Sequence, residues 1–155
     1  CTEEMAQEAI AVYRSRYTTV GKFENFPYPG IPQMLAQLKD MGYPLCVATS
    51  KPETMSVEIL EHFDLAQYFE IICGATFDKS RDSKEAVIAY LLSQTEGKDD
   101  AIMVGDTAYD VIGAKSHGIP TVGVAWGYGK VEDMVAAGAI AIADTTEDLY
   151  RLLTE

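Results

Sequence analysis

Short, unbroken apolar runs alternate with stretches of helical periodicity along most of this chain, and that alternation leaves few folds open. From residue 44 onward the pattern predicts strands at 44–48, 69–73, 101–104, 120–124 and 139–142. Between and after them it predicts helices from about 52 to 62, at 82–94, 107–117, 131–137 and 146–153. Strands that are apolar throughout are buried on both faces, and strands joined through helices by tight connections lie parallel. The predicted class is therefore α/β: a Rossmann-like, three-layer parallel sheet.

Ahead of this pattern, 2–17 reads as a helix. Thr2 is its N-cap, Glu3 and Glu4 suit its first turn, and Met5, Ala9, Val12 and Tyr13 share a face. Residues 18–28 have no clean period and read as a linker. A second helix starts at Ile31-Pro32, with an apolar face of Met34, Leu35, Leu38 and Met41, and stops at Gly42. A chain of 155 residues is long enough for one packed core.

Asp and Glu number 24 against 12 Lys and Arg, a formal net charge of −12. Such a surface does not suit a nucleic-acid polymer or an anionic membrane, but one cation and one lysine can offset it locally for a small phosphorylated metabolite. No apolar run is long enough to span a bilayer. Cys1, Cys46 and Cys73 have no metal-ligand spacing, and the last two lie in strand-like runs as expected buried thiols. The expected setting is reducing and cytoplasmic, and the expected assembly a monomer or homodimer. The glycine signatures of dinucleotide-binding and P-loop folds are absent.

Chemistry concentrates at strand ends. Gly105 and Asp106 follow the apolar run 101–104, and Asp110 comes one helical turn later, so both carboxylates can face one point suited to Mg2+. Thr49 and Ser50 close the first strand, and their hydroxyl and N–H groups can hold phosphoryl oxygens. Lys84, opening the helix after the second strand, can offset phosphoryl charge as a point cation. In an open α/β sheet the carboxyl ends of the strands share one rim. Taken singly, each has a plainer reading: Thr49-Ser50 a turn or cap, Lys84 a solvated lysine, Asp110 a helix-surface acid, Asp106 a cap. Trp126, Gly127, Tyr128 and Gly129 could line that rim or pack over the last helix.

The motifs in this order resemble the haloacid dehalogenase superfamily, in its phosphoglycolate-phosphatase-like branch. Thr49-Ser50-Lys51-Pro52 is similar to the second motif of that family, Lys84 to its third-motif lysine, and Gly105-Asp106 with Asp110 to its fourth, metal-binding motif. Tyr28-Pro29-Gly30 and the 123–129 segment resemble the same branch. Thr107 stands where a basic residue is common. The family's first motif, Asp-x-Asp-Gly-Thr, is not present. The resemblance implies that residues 1–21 are the remnant of a helical cap and 22–155 a core lacking its first strand. It implies a Mg2+-dependent phosphomonoester hydrolase, phosphoglycolate phosphatase by default, in which Thr49 contacts the phosphoryl group, Lys84 offsets its charge, Asp106 and Asp110 hold Mg2+, and Gly105 and Lys51 support them. The chain by itself is then expected to be inactive, since the aspartate nucleophile belongs to the missing motif. The alternative is a non-catalytic regulatory or interaction protein on the same fold, or a nucleotidase.

Overall fold

The computed structural model describes residues 2–95 and 100–155; Cys1 lies outside them. The elements in chain order are α1 (Glu3–Tyr17), α2 (Ile31–Asp40), β1 (Cys46–Pro52), α3 (Glu53–His62), β2 (Ile71–Ala75), α4 (Lys84–Ser93), β3 (Met103–Gly105), α5 (Ala108–Lys115), β4 (Thr121–Val124), α6 (Val131–Ala137), β5 (Ala141–Ala143) and α7 (Thr146–Thr154). Every strand pairing is parallel, as the apolar runs predict. The architecture is an α/β, Rossmann-like core with an N-terminal helical cap.

The strands fall into two groups. β1 pairs with β2 in the register Cys46↔Ile71 to Ala48↔Cys73, and β3, β4 and β5 form a second sheet in that order. Among the described residues β1, β2, β3 and β5 are thus each bonded to one strand, and β4 to two. Every residue of β4, which has a neighbour on each side, is buried, whereas β1 has no fully buried residue and Val104 of β3 is 38% exposed.

Alternation along β4 assigns its faces. Val122 and Val124 join Met34 and Leu38 of α2, Ala143 of β5 and Leu149 of α7 in one core cluster. Gly123 points the other way, where a Cβ would sit 2.6 Å from Ile142 Cδ1 and 3.1 Å from Met134 Sδ of α6.

Several boundaries differ from the sequence reading. β1 does not stop at Ala48; its ladder breaks register and resumes at Pro52↔Ala75, so Thr49, Ser50 and Lys51 belong to an irregular strand stretch. Met41 lies outside the core because α2 ends at Asp40 and the chain turns away through Gly42 at φ 85°. Leu91 and Leu92 are half-buried, as is Cys46, while Cys73 is buried. α1 has the predicted cap, Met5 N–H donating to Thr2 Oγ1 at 3.3 Å, but none of its residues is buried. The patternless 18–28 segment is anchored, since Lys22 is buried against Glu58 of α3 and Phe23 packs on His62.

Candidate functional site

Lys84 links the two groups of strands. Ser83 caps α4 by accepting from Ala86 N–H at 3.1 Å, which places Lys84 on the first turn. Its stem crosses α5 at Gly113, where a Cβ would lie 2.5 Å from Lys84 Cγ. The ammonium donates to the carbonyl of Ala48 in β1 at 2.8 Å and pairs with Asp110 Oδ1 in α5 at 2.8 Å. A lysine at a helix start opposes the helix dipole; here a nearly buried carboxylate offsets it.

Asp110 is engaged at both oxygens. Oδ2 accepts from Thr107 N–H at 3.0 Å and from the Thr107 hydroxyl at 2.8 Å, so the residue where a basic side chain is common has a defined role in capping α5. The carboxylate also lies against Gly105, whose hypothetical Cβ would be 2.3 Å from Asp110 Cβ. Asp110 is therefore not the helix-surface acid of its plainer reading: it is buried, completes the capping box of α5 and pairs with Lys84.

Asp106 anchors the segment after β4. Its Oδ2 accepts from Tyr128 N–H at 2.9 Å and its carbonyl from Gly129 N–H at 3.1 Å. Gly127 is required by contact rather than by backbone angle: a Cβ there would fall 2.1 Å from Asp106 Cβ. Trp126 packs against the core cluster, while the Tyr128 side chain is 95% exposed.

On the β1 side, Thr49 Oγ1 accepts from Lys51 N–H at 3.2 Å, and the Lys51 ammonium donates to the Tyr17 hydroxyl of α1. Ser50 is exposed. Thr49, Lys51, Lys84, Asp106 and Asp110 thus lie at or beside the carboxyl ends of β1 and β3, with Lys84 tying the two sides together. Sequence reasoning missed Tyr17, Tyr128 as a backbone donor and Gly113. No short motif marks them, because their roles come from contacts between elements distant in the chain.

Among the described residues no group of three or more His, Cys, Asp or Glu side chains is gathered to hold a metal ion. Asp106 suits one oxygen ligand of Mg2+, but Asp110 is taken up by Lys84 and Thr107. The described residues do not by themselves fit a complete Mg2+ site.

The sequence profile of haloacid dehalogenase-like hydrolases matches residues 2–124. The chain belongs to that family. Within it the chain falls in the phosphoglycolate-phosphatase-like branch, whose phosphoglycolate phosphatases match at 31 to 35% identity. It is 42% identical over 153 residues to the tyrosine-protein kinase PtkA of Mycobacterium tuberculosis, covering 97% of this chain and 53% of that one. It is 37% identical over 135 residues to the 5'-nucleotidase of Pseudomonas aeruginosa, covering 86% of this chain and 61% of that one. The crystal structure of a predicted phosphatase from Clostridium acetobutylicum superposes with a TM-score of 0.91 at 45% identity, covering 99% of this chain and 71% of the other. The chain spans 47 to 65% of the length of these curated relatives. No helix among the described residues is long and apolar enough to cross a membrane.

Proposed function

We propose that residues 1–155 form the phosphoryl-binding portion of a haloacid dehalogenase-fold protein, and that this portion alone is a non-catalytic module. The observation that carries the reading is how the rim's charges are used. Thr49, Ser50, Lys51 and Lys84 supply donors and positive charge, while Asp110 is occupied by Lys84 and Thr107, and Asp106 holds Tyr128 and Gly129. Neither carboxylate is disposed as a nucleophile, so a covalent step would need a group from outside these residues. The one-sided pairing of β1 and β3 suits a further parallel strand between them, which would bring such a group to the same rim. On this division residues 1–21 belong to a cap and 22–155 to the core.

For the whole protein we propose phosphomonoester hydrolysis with Mg2+, Asp106 being the ligand this chain supplies, on a nucleoside monophosphate in preference to phosphoglycolate. The 37% identity to a named 5'-nucleotidase, against 31 to 35% for three phosphoglycolate phosphatases, supports that order. Free thiols at Cys46 and Cys73 accord with a reducing, cytoplasmic setting.

The test compares residues 1–155 with the whole protein on AMP, phosphoglycolate and para-nitrophenyl phosphate in Mg2+. The expected result is no turnover by the 155-residue chain and a higher kcat/KM for AMP than for phosphoglycolate by the whole protein. Equal turnover by the two proteins would overturn the module reading, and a preference for phosphoglycolate would overturn the substrate. A whole protein inert on all three would leave a regulatory role as the reading of the fold.

A further inference from the structure

We propose that Tyr17 is a positioning residue that holds Lys51 as the available positive charge of the rim for an anionic ligand, an inference that rests on the phosphoryl-binding reading above. The two rim lysines are in opposite electrostatic situations. Lys84 is paired with the nearly buried Asp110 carboxylate. Lys51 has no carboxylate within ion-pair distance among the described residues. Glu53, two residues on, is turned away to Arg81 and to the backbone N–H of Gly74. The partner of the Lys51 ammonium is instead the neutral phenol of Tyr17. A hydroxyl orients an ammonium without cancelling its charge, so Lys51 stays a full cation.

The contact fixes Lys51 at both ends. Its backbone N–H donates to Thr49 Oγ1 at 3.2 Å, and its Nζ meets Tyr17 5.0 Å from the ring centroid, at the hydroxyl end rather than over the ring face. A free lysine side chain samples many rotamers, and binding that must order it is weakened accordingly. Tyr17 orders it in advance. The phenol is itself steadied by Tyr13, stacked on it at 5.4 Å and 17°. On a molecule of net charge −12, an anion nears this rim against the overall field, and an un-neutralised local cation has correspondingly more effect. Because Tyr17 lies in the last turn of α1, the charge presented beside Thr49 depends on where that helix sits.

The experiment is calorimetric titration of inorganic phosphate into the whole protein as wild type, Tyr17→Phe, Lys51→Met and the double variant, with the melting temperature of each. Tyr17→Phe keeps the stack on Tyr13 and removes only the hydroxyl. The expected result is at least about tenfold weaker phosphate binding for Lys51→Met and about three- to tenfold weaker for Tyr17→Phe, with unchanged melting temperatures. The double variant should bind as Lys51→Met does, because Tyr17 acts only through Lys51. Wild-type affinity in Tyr17→Phe, or a double variant showing the product of both losses, would overturn the positioning role. A folded wild type that binds no phosphate would overturn the phosphoryl-binding reading, and this inference with it.

Discussion

Glycine is a poor residue for the middle of a helix, and Gly113 lies inside α5 where alanine would ordinarily gain about 1 kcal/mol. Here a Cβ would come within 2.5 Å of Lys84 Cγ and 3.1 Å of Lys84 Cβ. Those atoms are near the root of the side chain, not its mobile tip, so α4 would have to move. Overpacking of that kind costs about 1–3 kcal/mol, more than the helix propensity returns. Gly113→Ala is therefore expected to lower stability by about 1 kcal/mol, measured by denaturant unfolding, whereas an ordinary helical glycine would show a gain. The same neighbourhood shows what was legible at residue scale. Lys84 and Asp110 stand out in the sequence because their types and order carry chemistry. That they engage each other is not visible there, since 26 positions separate them and only the packing of α4 on α5 brings them together.

Element boundaries were legible where a cap or a turn residue marks them. Thr2 and Gly42 end their helices as their types predict, and α6 occupies the predicted 131–137. They were not legible where polar residues are held by tertiary contact, as in β1, which continues through Thr49, Ser50 and Lys51 despite their polarity. The connection from β2 to α4 is the other such place. Asp78 Oδ1 accepts from Ser80 N–H at 3.0 Å and from the Ser80 hydroxyl at 2.7 Å, and Lys79 between them takes a left-handed conformation at φ 61°. The Thr76 hydroxyl, with the Ser80 N–H and hydroxyl, holds the Asp78 carboxyl down to about 2. An unfolded aspartate titrates near ~3.9. The folded value is depressed, so the stabilisation from these bonds is fully present above the unfolded pKa and is lost as pH falls from there through about 2. Carboxyl-carbon NMR should place the Asp78 midpoint at about 2. The stability difference between wild type and Asp78→Asn should shrink over the same window, and a midpoint at the unfolded value would show that the turn does not hold the carboxylate.

At the scale of the whole molecule, the class of fold was legible because five apolar runs and their helices can be buried together in few ways. The division into two groups of strands was not, since hydrophobic pattern reports burial and says nothing of which edges are paired. That division has a measurable consequence. Parallel strands bond to their two neighbours through alternate residues, so β4, between β3 and β5, has every amide facing a ladder. In β1 and β3 the alternate amides on the unpaired edge have no strand partner in the ladders described. Backbone groups left unpaired exchange readily with water, and strand edges open more easily than strand centres. Hydrogen exchange on residues 1–155 alone should therefore be slowest in β4 and at least about tenfold faster at alternate positions of β1 and β3. Lys84 ties β1 to α5 through the Ala48 carbonyl and Asp110, so Lys84→Met should speed exchange further in β1 while leaving β4 unchanged. In the whole protein, a strand seated between β1 and β3 would slow those alternate amides to the level of β4. If they exchange equally fast with and without the rest of the chain, nothing occupies that edge, and the phosphoryl-binding rim must be completed in some other way.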